Sequence, residues 1–171
     1  MERSRGLVVV LLILCVARAA PADGSCSPVT VVARLREGRF TEIKKVSDIA
    51  QDLLAEFWRT TPAHGLKAFA DPDAEFQATD VIDQRNLPWR RLIFAGRSPS
   101  ISFVYYEKGG IALSRHVFVT CSMGQLTRSF SYVWPPDAKD SSSLFTRLRS
   151  ECLVTPPREY PEKAELDRCV R

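Results

Sequence analysis

The chain predicts an α+β domain: one long helix packed on a curved four- to five-stranded antiparallel meander, followed by short C-terminal helices. Three observations predict it. Apolar residues recur at helical spacing over 41–59. Four runs rich in β-branched and aromatic residues follow between 89 and 134, separated by short turn segments. Four cysteines beyond the first two dozen residues form an even set, enough for two disulfides.

The first segment carries a secretory pattern. Arg3 and Arg5 lie in a short basic start, 6–17 is an apolar run of twelve, and Ala17 and Ala19 flank Arg18 as small residues at a cleavage point. Cleavage is expected after Ala19, with Ala22 as the second choice. A spanning helix needs about 20 apolar residues, more than this run supplies. A lipid anchor at Cys15 is disfavoured because bulky Leu12, Ile13 and Leu14 precede it. Residues 1–19 are therefore read as a cleaved signal peptide and 20–171 as one α+β domain, with 26–153 as core and 154–171 as a disulfide-tied tail. The expected address is the bacterial periplasm or the extracellular space, with no stable membrane anchor. Arginine outnumbers lysine 18 to 6 and Asn86 is the only asparagine, so no N-glycosylation sequon exists; both are compatible with a bacterial source.

Removing Arg3, Arg5, Arg18 and Glu2 lowers the net charge from +4 to +2, 21 basic residues against 19 acidic. No basic block remains, and Arg90-Arg91 is only a pair, so nucleic acid is not an expected partner. About 150 residues remain, enough to bury a core.

Cys26, Cys121, Cys152 and Cys169 are 95, 31 and 17 positions apart. Zinc sites use closely paired ligands such as C-x-x-C, which this spacing lacks, so no metal is expected. No other cofactor is expected either. A nucleophilic cysteine needs a thiolate and a nearby histidine, and His64 and His116 are the only histidines. Of the three connectivities, Cys152–Cys169 closes a proline-rich tail with little apolar content. Cys26–Cys121 then ties the N-terminus to the end of a strand. Non-reducing peptide mapping tests this, and a peptide linking Cys26 to Cys152 would refute it.

The elements follow in order. Residues 28–35 form a β-branched run read as a strand, and Gly38 ends it. Within 41–59, Ile43, Val46, Ile49, Ala50, Leu53, Leu54, Phe57 and Trp58 make one helical stripe, with Thr41 as N-cap and Pro62 and Gly65 as stops. Residues 61–87 are polar and irregular. The four strand runs are 89–95, 100–106, 111–121 and 125–134, and Gly109-Gly110 suits a tight hairpin. Short separators force antiparallel neighbours. Ile101, Phe103 and Tyr105 make one apolar row, and Leu126, Phe130, Tyr132 and Trp134 make another. Thr127, Ser129 and Ser131 form a polar row expected to face solvent. Arg128 interrupts the apolar row, so it is placed near an edge or against a carboxylate. The 41–59 helix is expected to pack on the apolar rows. Pro135-Pro136 ends the sheet, and 141–149 and 161–168 read as short helices.

This order of probable strand, long helix and four-stranded meander resembles the cystatin and NTF2-like arrangement, where a curved antiparallel sheet wraps one helix. The resemblance is one of pattern; the cystatin inhibitory Gln-x-Val-x-Gly is absent.

Candidate sites are few. His116 lies inside a strand beside Arg115; it is either a general acid–base or a half-buried strand residue with a satisfied hydrogen bond. Gly-x-Ser-x-Gly is absent. Asp71, Asp73, Glu75, Asp80 and Asp83 cluster in the irregular segment, at spacings that fit no EF-hand. They read as a solvated acidic loop. Neighbours on a strand alternate faces, so one of Tyr105 and Tyr106 points away from the apolar rows. An outward tyrosine beside Arg90, Arg91 or Arg115, with Trp134 near, suits an anionic or planar ligand or a protein partner. The first reading is thus an exported, disulfide-stabilised domain that binds an unknown protein or small ligand. The alternative is an enzyme with an NTF2-like pocket, using His116 and a carboxylate from 71–83 for proton transfer.

Overall fold

Ser27 begins the first element. Its hydroxyl accepts the Thr30 N–H at 3.2 Å, and Pro28 follows as the first helical residue, so 28–37 folds as helix α1 (Pro28–Glu37) and not as a strand. The serine cap and a proline pre-set for the first turn outweigh the β-branched Val29, Thr30, Val31 and Val32. Val31, Val32 and Leu35 form its buried stripe. These elements belong to a computed structural model that describes residues 25–61, 66–80, 86–132, 135–160 and 162–169.

The long helix expected over 41–59 is divided. Thr41–Ile43 is a strand, β1; Val46–Asp48 is a 3-10 turn; only Gln51–Thr60 is helix, α2. Four of the nine residues from 41 to 49 are β-branched (Thr41, Ile43, Val46 and Ile49), which stiffens them against the helix and suits them to an edge strand. Two tertiary contacts complete the break. β1 pairs antiparallel with Ala95–Arg97, and the Val46 N–H donates to Asp71 Oδ1 at 2.6 Å. Pro62 and Gly65, the expected stops, lie outside the described residues.

The sheet has seven strands rather than four or five. The remaining ones are β2 (Phe69–Ala70), β3 (Arg90–Arg97), β4 (Ile101–Lys108), β5 (Ser114–Met123), β6 (Leu126–Tyr132) and β7 (Leu153–Val154). The order is β1-β3-β4-β5-β6-β7, antiparallel throughout, and two-residue β2 lies parallel to the start of β3. Both β1 and β2 use the same edge of β3, one at each end. Gly110 (φ 141°) and Gly124 (φ 60°) lie in the β4–β5 and β5–β6 connections with backbone angles that a Cβ would strain. Short helices α3 (Ser141–Thr146) and α4 (Lys163–Cys169) complete the chain.

Both faces of this sheet are covered, so a single helix wrapped by a sheet does not describe it. On one face α1 and α3 pack on Phe94, Phe103, Tyr105, Val117, Val119, Phe130 and Tyr132. On the other, Leu53 and Phe57 of α2 pack on Ala95, Val104, Tyr106 and Phe118. The α2 stripe thus sits on the face opposite the one expected from the apolar rows. Ser129 and Ser131, read as solvent-facing, are buried there. Ser129 donates to Glu56 of α2, and Ser131 accepts the Arg158 N–H of the tail at 2.9 Å. Arg128 is exposed on β6. Disulfides join Cys26 to Cys121, locking the start of α1 to β5, and Cys152 to Cys169, locking α4 to the turn before β7. Among the described residues no helix is long and apolar enough to cross a membrane.

Candidate functional site

Four adjacent pairs of chemically active residues lie on the central strands: Arg90-Arg91, Tyr105-Tyr106, Glu107-Lys108 and Arg115-His116. Side chains alternate faces along a strand, so each pair is divided between the two faces. The register sets Arg91 opposite Glu107 and Glu107 opposite Arg115. It likewise sets Arg90 opposite Lys108 and Tyr106 opposite His116. A bulge between Leu92 and Phe94 on β3 reverses the parity beyond it, so Leu92 packs with α2 and Phe94 with α1.

On the α2 face the charges are enclosed. Arg90 is 0 % exposed and Lys108 3 %, and Glu159 of the tail lies between them. Arg90 makes a bidentate pair with Glu159, Nε to Oε1 at 2.7 Å and a terminal nitrogen to Oε2 at 2.9 Å. Lys108 Nζ is 2.9 Å from Glu159 Oε2 and lies 3.8 Å from the Tyr160 ring centre. The Tyr106 hydroxyl donates to Glu159 Oε1 at 3.0 Å. Burial alone would raise the Glu159 carboxyl pKa, but the hydrogen bonds and charges of Arg90 and Lys108 outweigh it and hold it below the ordinary value. The Tyr106 hydroxyl is pushed well up, first by burial and then by the Glu159 charge.

His116 stacks on Tyr106, ring centres 5.3 Å apart, and its Nε2 bonds the Ser114 hydroxyl at 2.7 Å. Burial lowers its pKa to about 4; the Glu159 charge opposes this, and Lys108 and Arg90 reinforce it. The imidazole is neutral at pH 7 and enclosed beneath the tail. Its hydrogen-bond partner is a serine, where the proton-transfer reading calls for a carboxylate.

On the α1–α3 face the same strands open into a cleft of about 480 Å³. Arg91 and Arg115 converge on Glu107: Arg91 reaches Oε2 at 2.6 Å, and Arg115 Nε lies 3.4 Å from Oε1. Arg115 also pairs with Asp137, on the segment entering α3. The Arg91 guanidinium lies over the Phe76 ring at 4.4 Å. Arg91 and Arg115 side chains are 30 % and 42 % exposed. Lys139 and Asp73 stand on the rim. Beneath, the Tyr105 hydroxyl donates to the Pro136 carbonyl at 3.0 Å and holds that rim against the sheet.

The structure therefore brings Arg115 to an open cleft with Arg91, and sets Tyr105 under its rim. Neither Tyr105 (0 % exposed) nor Tyr106 (2 %) points into solvent, because helices or tail cover both faces. Trp134, His64 and Asp83 lie outside the described residues. Asp71 accepts a backbone N–H as described, Asp73 lines the cleft, and Glu75 and Asp80 are exposed. Among the described residues no group of three or more metal-ligating side chains converges. Sequence reasoning missed Glu107, Asp137 and Glu159. The first is legible in retrospect, since an acidic residue among strand apolars suggests a cross-strand ion pair. Glu159 carries no such signal, because its partners are some fifty or more positions away.

Taken together these features define a disulfide-stabilised sheet domain with one arginine-lined cleft and one enclosed ionic cluster. No protein-family model matches the chain, and no curated protein or solved structure is significantly similar to it.

Proposed function

We propose that this chain is an exported binding domain that takes an anionic group of a partner or small ligand in the Arg91–Arg115 cleft. One observation carries the reading: two guanidinium groups share a single carboxylate, Glu107, and both keep part of their surface open within a cleft of small-ligand size. Arginine offers five N–H donors in a planar fork, so a second carboxylate or a phosphate can bond donors that Glu107 and Asp137 leave open. Tyr105 acts beneath this site as a positioning residue, fixing Pro136 and with it the rim. The Cys26–Cys121 and Cys152–Cys169 bridges fit an oxidising compartment.

Titration of the oxidised protein with citrate, phosphate and a Glu-rich peptide, followed by amide chemical shifts, tests the site. Saturable shifts are expected around residues 91, 107, 115 and 137. Arg115→Gln and Arg91→Gln should each weaken binding about tenfold or more, since hydrogen bonds to charged groups contribute roughly 1.5–3 kcal/mol. Binding unaffected by both variants would overturn the reading. Export is tested separately by N-terminal sequencing of protein from the exported fraction. A start at Ala20 is expected, or at Asp23 if the second cleavage point is used.

A further inference from the structure

The second cleft of the molecule has a different chemistry and lies on the α2 face. The geometry points to a saccharide-binding site here, for a neutral ligand bearing adjacent hydroxyls. The cleft encloses about 350 Å³ between α2 and the ends of β4, β5 and β6. Its floor is a grid of hydroxyl side chains set by strand register. Ser102 is opposite Thr120, and Ser122 is opposite Thr127. Neighbouring strands lie about 4.8 Å apart, and residues i and i+2 on a strand about 6.7 Å apart. That spacing suits several hydroxyls on one pyranose ring or on two linked rings. Thr120 donates to the Ser102 carbonyl at 3.4 Å, and the Ser122 and Thr127 hydroxyls share a hydrogen bond at 3.2 Å, so these oxygens offer chiefly acceptor lone pairs to the hydroxyl donors of a sugar.

The wall is α2. Asp52 and Glu56 are one helical turn apart and both line the cleft. Their charges are already balanced. Asp52 lies 3.3 Å from Arg97, and Glu56 is held by Arg59 at 2.7 Å. The guanidinium of Arg59 holds the Glu56 carboxyl below its ordinary pKa despite partial burial. Glu56 also accepts from Ser129, so the exposed Asp52 carboxylate is the principal acceptor; neither carboxylate demands a further cationic partner, and the complement is a neutral donor. That distinguishes this site from the arginine cleft, and the inference stands independently of the anion reading.

The test uses the oxidised, isotope-labelled protein with glucose, mannose, N-acetylglucosamine and maltose, and with putrescine as a cationic control. Saturable amide shifts are expected at 52, 102, 120 and 122 for at least one sugar, in the millimolar range. Asp52→Asn and Thr127→Val should each weaken that binding about fivefold or more, and Arg115→Gln should leave it unchanged. Asp52 and Thr127 are exposed, so both variants keep the fold, which spectral dispersion checks. No saturable shift at these residues with any of the four sugars overturns the inference. So do shifts that survive both variants, or a preference for putrescine.

Discussion

His116 and Glu159 make the interior of this domain sensitive to acid, with opposite charge histories. The His116 pKa falls from 6.5 to about 4 on folding, so the unfolded chain binds the proton more readily. Stability from this group is fully present above pH 6.5 and is lost as pH falls from 6.5 to 4. The buried imidazole contributes roughly 3 kcal/mol across that window. Glu159 adds a second loss at lower pH, because a carboxyl held below its ordinary value stabilises only while ionised. Denaturant melts from pH 7.5 to 3.5 should show the midpoint falling below pH 6.5. In His116→Phe the loss between 6.5 and 4 should be largely absent; an unchanged profile would refute the assignment. Glu159→Gln removes the carboxylate that Arg90 and Lys108 share, and breaking a buried pair costs about 3–5 kcal/mol. A urea midpoint close to wild type would show that the tail does not hold this cluster closed.

At the level of helices and strands, the ends of elements carry much of the information. The α3 helix is six residues long and depends on its cap: Asp140 accepts the Ser143 N–H at 2.8 Å, and the Ser143 hydroxyl completes a capping box. Asp140→Ala should destabilise α3 and loosen the rim that carries Asp137 and Lys139. The measurable result is faster amide exchange over 141–146. The division of 41–59 into strand, turn and helix has the same origin. Its apolar positions satisfy helical spacing, yet Thr41–Ile43 gain backbone partners on β3 that no helix would supply. Residues 28–35 show the converse, with β-branched composition overruled by a serine-proline cap. Local spacing and composition could not rank these terms, because the deciding hydrogen bonds join residues far apart in the chain.

Across the full fold, the two bridges act on very different loops. Cys152–Cys169 spans 17 positions and Cys26–Cys121 spans 95. On the chain-entropy view their removal costs about 3 and about 4–5 kcal/mol respectively. Cys169→Ser should therefore lower the melting temperature less than the double variant Cys26→Ala/Cys121→Ala. The reverse ranking would mean the tail latch at Glu159 depends on the shorter bridge more than loop entropy allows. The strands of the central sheet, β3 to β6, were legible from alternation and turn residues, as was the even cysteine set. The site was legible only in part. Arg91, Arg115 and Tyr105 stand together on one face, but Tyr106 and His116 serve the opposite one. The covering of that second face came from α2 and a tail whose polar sequence gives no sign of a buried carboxylate.

Alternation along each strand is a local property, so the residues already divided Arg90 from Arg91, Tyr105 from Tyr106, Glu107 from Lys108 and Arg115 from His116 between two faces. Which face closes and which stays open is a non-local matter. It depends on where Phe57 of α2 and Glu159 of the tail come to rest. Burial of apolar surface and the neutralising of enclosed charge choose that arrangement, and neither can be read from neighbours in the chain.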